Sequence, residues 1–147
     1  MSLETRKSVI TAGSVVPVKD GEVAGWAVLF GSGDGFNRSG HVQNGPPTKE
    51  NAEITAVIEA IRIIRKKDIQ GHHFRILTDS RRVAEAATET GGAGHEHTLQ
   101  DEIDLAKYNG YDILVDELKG DERSKHYEEA MNMASHAAVA QLHGLKH

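Results

Sequence analysis

Cysteine is absent from this 147-residue chain. Disulfide staples and thiol chemistry are therefore excluded, and a reducing intracellular setting, cytoplasmic or nuclear, is the compatible one. No apolar run approaches the roughly 18 residues of a membrane span, and no signal-peptide pattern opens the sequence, so no membrane association is expected. Positive charge is in the minority: 17 Lys and Arg against 22 Asp and Glu leave a formal net charge of -5. That is the wrong sign for a protein gripping a phosphate backbone, although local patches matter more than totals. A phosphate-binding glycine loop, a dinucleotide fingerprint and a serine-hydrolase elbow are all missing. There is no internal repeat and no low-complexity stretch.

What is present reads as one folded domain. Hydrophobic residues make up 38% and charged residues 27% of the chain, ordinary values for a globular protein long enough to bury its own core. The domain is expected over residues 8–143, with 1–7 and 144–147 as tails. Ser8 to Gly13 is a β-branched run closing in a Gly-Ser turn, a plausible central strand. After the turn at Lys19 to Glu22, Ala24 to Phe30 reads as a buried strand. A glycine-rich hairpin turn follows at Gly31 to Gly35 and leads into a weaker strand, Phe36 to Gln43. Pro46 and Pro47 break the sheet, and Thr48 is a good N-cap with Glu50 in the first turn. Ile54, Val57, Ile58, Ile61 and Ile64 then recur at helical spacing. A strand at His73 to Thr78, a helix at Ser80 to Thr90, a helix at Thr98 to Tyr108, a strand at Tyr111 to Leu118 and an alanine-rich helix from His126 to about Leu142 complete the pattern.

Two segments in this order carry a resemblance. Ala52-Glu53 opens the first long helix, and Thr78-Asp79-Ser80 ends the fourth strand. Together they resemble the second and third carboxylate motifs of the type 1 ribonuclease H family, and the likeness extends from about Ser8 to Gln141. It implies a mixed α/β, ribonuclease H-like fold: a five-stranded mixed sheet, its first three strands antiparallel, flanked by helices. The family's first strand ends in Thr-Asp-Gly-Ser; here Thr11-Ala12-Gly13-Ser14 puts an alanine at the metal-bridging aspartate. Along the last helix, Tyr127 to Ala134 runs beside the family pattern without a gap, and the aspartate position is Met131. The family's flexible histidine falls on Asp121.

These departures bear on chemistry. Hydrolysis in the family uses two Mg²⁺ ions about 4 Å apart, one activating water and one stabilising the leaving oxygen. Mg²⁺ wants oxygen ligands in near-octahedral geometry, and a thioether is a poor substitute. Glu53 and Asp79, the catalytic remnants, are expected to hold one Mg²⁺ weakly at most, and no cofactor is otherwise expected. Alanine at one acid could be an engineered trap; the second loss at Met131 and the missing histidine argue for natural decay.

Candidate nucleic-acid contacts are Ser14, Thr48, Asn51, Ser80 and Arg81, the last two at a helix N-terminus where N–H groups favour phosphate. Helix capping is the plainer reading of Thr48 and Asn51, and a solvent-facing first turn that of Arg81. Arg62, Arg65, Lys66 and Lys67 form the densest basic cluster, though cations that close a helix also complement its dipole. His95 and His97 flank Glu96 in a glycine-rich loop, a weak metal signal. The family's basic handle corresponds here to Glu85 through Asp104, which contains six acids and no Lys or Arg. A catalytically degenerate binding module is expected, most of all a protein-interaction scaffold with a partner or a second copy as its target. The alternatives are non-catalytic binding of an RNA/DNA hybrid or RNA, and a weak Mg²⁺-dependent hybrid endoribonuclease.

Overall fold

Alternating apolar residues build a central sheet, and 3.6-residue apolar stripes cover it. The computed structural model describes residues 7–31, 34–43, 45–67, 73–87, 95–118 and 125–144, apart from the side chains of 95–97, 125 and 141–144. In chain order the elements are β1 (Lys7–Val18), β2 (Gly21–Leu29), β3 (Arg38–His41), α1 (Lys49–Lys66), β4 (His73–Thr78), α2 (Arg81–Ala86), α3 (His95–Tyr108), β5 (Asp112–Glu117) and α4 (Lys125–Gly144). The sheet order is β3-β2-β1-β4-β5. β1, β2 and β3 pair antiparallel, while β4 lies parallel to both β1 and β5.

Strand alternation sends the residues of β1 to two different cores. Val9 joins the larger one, with Val28, Phe74, Ile76 and the apolar stripe of α1. Ile54, Val57, Ile58, Ile61 and Ile64 are all buried in that stripe, each contributing about 1.5–3 kcal/mol relative to exposure. Leu99, Ile103 and Ala106 bring α3 against the same core. On the opposite face, Ala12, Ala27 and Leu29 meet Ala130 and Ala134 of α4, with Ile10, Met131 and Met133 packed around them. Small residues let this helix sit close. A Cβ on Gly25 would overlap the Ala134 carbonyl and lie 2.7 Å from the Ala138 nitrogen.

The main difference from the sequence reading is the length of β1. Gly13 and Ser14 do not turn the chain; the strand runs on to Val18 and pairs with β2 along its length. Glycine is needed at 13 for a close approach: a Cβ there would lie 2.6 Å from the Glu53 nitrogen and 2.8 Å from the Ala52 Cβ. The turn falls at Lys19 and Asp20, followed by Gly21 at φ 140°, a conformation that favours glycine. β3 is shorter than the Phe36 to Gln43 run, because Asn37 spends its side chain closing the hairpin. Its Oδ1 accepts from Phe30 N at 2.6 Å and its Nδ2 donates to Gly31 O at 2.7 Å. α3 begins three residues before Thr98. Residues 88–90, the expected end of the α2 segment, lie outside the described residues. Among the described residues, no helix is long and apolar enough to cross a membrane.

Candidate functional site

Parallel pairing of β1 with β4 sets the site. The ladder runs to Ile10 opposite Leu77, and the Thr11 hydroxyl donates to Leu77 O at 2.8 Å. Continuing that register by two residues brings Ala12 level with Asp79, just past the end of β4. On one side Gly13 backs onto the α1 backbone at Ala52 and Glu53. On the other, α4 presents a stripe at four-residue spacing. Tyr127 donates its hydroxyl to Asp79 Oδ2 at 2.9 Å, Met131 packs against the cluster that holds Ala12, and the Ser135 hydroxyl bonds that of Ser14 at 2.8 Å. Ala12 and Asp79 thus lie side by side where β4 ends beside the middle of β1, with Glu53 approaching from α1 and Met131 from α4.

Glu53 is the most perturbed group here. It is 5% exposed, and among the described residues no hydrogen bond in good geometry reaches its buried Oε2. Lys49, one turn earlier on α1, brings its Nζ to 3.5 Å from that oxygen as an ion pair. The same ammonium donates to Gly13 O at 3.1 Å. Burial pushes the Glu53 carboxyl above its ordinary range; the Lys49 charge opposes the shift, and the negative charge of Asp79 adds to it.

The donor set does not suit a pair of Mg²⁺ ions. Ala12 offers no oxygen ligand, Met131 only a thioether, Glu53 is paired with an ammonium, and Asp79 accepts a phenol. Hard cations need several oxygens. Among the described residues, no group of three or more His, Cys, Asp or Glu could hold a metal ion. Asp121, the position matched to the family's histidine, lies outside the described residues, as do the side chains of His95, Glu96 and His97.

The other candidates are engaged within the chain. Thr48 caps α1 by accepting from Asn51 N at 3.2 Å, and Asn51 Nδ2 donates to Pro46 O at 2.7 Å. Ser80 caps α2 by accepting from Val83 N at 3.2 Å. Arg81 pairs with Glu85 at 3.3 Å, and Arg82 pairs with Glu50. Two members of the basic cluster face inward: Arg62 and Arg65 clasp Glu102 of α3 at 2.8 and 3.1 Å. Burial disfavours the Glu102 charge, but the hydrogen bonds and charges of the two guanidiniums outweigh it and hold the carboxyl below its usual range. Glu102, one of the six acids of the Glu85 to Asp104 segment, therefore belongs to the α1–α3 contact. Sequence reasoning gave neither Lys49 nor Tyr127 a role. Their four-residue offsets from Glu53 and Met131 were the available signal.

The fold is shared with solved structures. The prototype foamy virus protease-reverse transcriptase (CSH mutant) matches 90% of this chain at 20% identity and TM-score 0.65, with this chain spanning 21% of that one. The PFV RNase H domain matches 90% of this chain and 94% of its own at 21% identity and TM-score 0.61. LC11-RNase H1, solved in complex with RNA/DNA hybrid, matches 92% of this chain and 98% of its own at 13% identity and TM-score 0.61. No family model and no curated protein matches the sequence. At these identities the likeness carries the architecture: the fold is ribonuclease H-like.

Proposed function

We propose that this ribonuclease H-like domain does not cleave nucleic acid and serves as a binding module whose preferred partner is a protein. The content of the site carries this reading. Two of the four positions that correspond to the family's acids are Ala12 and Met131, and the two remaining acids are engaged by Lys49 and Tyr127. In-line hydrolysis through two metals needs a carboxylate bridging both ions, and alanine cannot supply one.

The outer face of α3 supports a protein partner. Asp101, Asp104, Leu105 and Tyr108 are exposed there, with Leu105 at 44% and Tyr108 at 89%. Aromatic and aliphatic area beside acids is the composition of a polar-rimmed protein contact. Those acids would repel a phosphate backbone.

A second reading, hybrid or RNA binding without cleavage, is favoured by one observation: LC11-RNase H1 shares the fold and was solved with an RNA/DNA hybrid. Ser14, Thr48, Asn51, Ser80 and Arg81 would be its contacts, each first giving up or sharing the intramolecular bond it now makes. The test is incubation with RNA/DNA hybrid in Mg²⁺ or Mn²⁺, followed by a salt-titrated binding assay. No cleavage and weak binding are expected. Reproducible cleavage abolished by Asp79→Asn would replace this reading with a metal-dependent nuclease. Tight, salt-sensitive binding would replace it with the nucleic-acid one.

A further inference from the structure

We propose that the Lys49 ammonium is a tethered cation standing where a divalent metal ion would otherwise sit, so that the site is neutralised by the chain itself and excludes a divalent cation. Lys49 Nζ lies 3.1 Å from Gly13 O and 3.5 Å from Glu53 Oε2. A backbone carbonyl and a carboxylate are the hard oxygen donors that Mg²⁺ and Mn²⁺ prefer, and here one ammonium faces both.

Burial makes that ammonium necessary. Among the described residues no hydrogen bond in good geometry reaches Glu53 Oε2, on a side chain 7% exposed, and a buried charge without a partner is strongly disfavoured. Asp79 adds negative charge near Glu53. The Lys49 side chain is half exposed, so its stem can reach inward from solvent and carry the charge to the carboxylate. A divalent ion drawn to the same two oxygens would lie within a few ångströms of the ammonium, where like charges repel strongly. Metal binding then requires the lysine to leave. Unlike a bound ion, the lysine is covalently held and cannot be removed by dilution or a chelator.

The test is Mn²⁺ titration of the full chain by calorimetry and by the spin-resonance signal of free Mn²⁺, with thermal melts in chelator and in Mn²⁺. The unaltered protein is expected to show no saturable Mn²⁺ site and the same Tm in both media. Lys49→Ser should gain a saturable site, at least about tenfold tighter than any binding by the parent, since removing one unit charge at this range is worth that much or more. Its Tm should rise with Mn²⁺, and Lys49→Ser combined with Glu53→Gln should lose both effects. Lys49→Arg, which restores a cation, should bind no Mn²⁺. Lys49→Gln serves as a second neutral variant, so the comparison does not depend on one substitution folding well. Saturable binding by the unaltered protein as tight as by Lys49→Ser would overturn the proposal, as would no gain in either neutral variant. Because the readout is metal binding, a parent protein that binds Mn²⁺ without cleaving hybrid would sink this inference and leave the non-cleaving reading standing.

Discussion

Glu53 and Glu102 are both buried, yet their surroundings set them on opposite sides of the ordinary carboxylate range. Desolvation dominates at Glu53 and raises its folded-state value, because the single Lys49 ammonium compensates only part of the loss of water. Burial acts at Glu102 as well, but two guanidiniums donate to it and hold it low. The consequences for stability have opposite signs. For Glu53 the native state takes up its proton before the unfolded chain does. Stability is therefore greatest below the unfolded value and declines as pH rises through the folded one. For Glu102 the contribution is complete above the unfolded value and is lost as pH falls through the lower folded one. Glu53→Gln should accordingly leave stability at neutral pH unchanged or raise it, because the neutral amide escapes the desolvation that the carboxylate suffers. Urea unfolding of parent and variant across acidic to neutral pH checks this: the variant should lose the decline on the rising-pH side and keep the acid-side loss. A variant clearly less stable than the parent at neutral pH would show that the Lys49 pair outweighs desolvation.

Between elements, the same two effects decide how helices are held. α3 is clamped to α1 through Glu102, and Glu102→Gln leaves two guanidiniums facing a neutral amide. Removing one partner from a fully buried pair costs about 3–5 kcal/mol. Arg62 and Arg65 retain 35% and 23% exposure, so a discounted loss of about 1–3 kcal/mol is expected in urea melts, and it should shrink in acid, where the parent loses the same charge. α4 is held by closeness instead. Gly25→Ala would drive a methyl group into the Ala134 carbonyl, a backbone atom that cannot rotate away. A loss of about 3 kcal/mol, the upper end for overpacking, is expected, whereas Gly35→Ala, which meets nothing within 4 Å, is its control. The order of these elements was legible because period-2 and period-3.6 apolar patterns are local. The isoleucine stripe of α1 and the Thr48 cap can be read directly from spacing. What could not be read depended on distant partners. Gly13 resembles a turn until α1 is seen packed on it, Glu102 resembles its acidic neighbours until Arg62 reaches it across 40 residues, and nothing around Lys49 indicates that its ammonium meets Gly13 O across 36 residues. Positions 12, 53, 79 and 131 could be named in advance from motifs, but the groups now engaging the two remaining acids could not.

At the scale of the whole molecule, charge and exposed apolar area point towards the same kind of partner. The net charge of -5 works against counterion-release binding. Two of the arginines that might have offset it are turned inward to Glu102, and Arg81 and Arg82 sit beside Glu85 and Glu50. Affinity for an RNA/DNA hybrid at physiological salt is therefore expected to be no better than non-specific, roughly 10⁻⁴ to 10⁻⁶ M. The outer face of α3 offers the complementary test. Asp101, Leu105 and Tyr108 share one side of the helix by their spacing, while Leu99, Ile103 and Ala106 are buried on the other. Leu105→Ser with Tyr108→Ser should thus leave the melting temperature within about 2 °C of the parent, as substitutions away from packed features do. If this face meets a protein or a second copy, the double variant should lose that association, read by sedimentation across protein concentration and by co-purification with a partner. Reversing Asp101 and Asp104 to lysine separates the two classes of ligand. It should weaken a protein contact rimmed by those acids and, by the same electrostatics, strengthen hybrid binding with a steeper dependence on salt. Unchanged protein association in both variants would remove α3 as the contact. A parent protein that already binds hybrid tightly and releases it with salt would return the domain to nucleic acid.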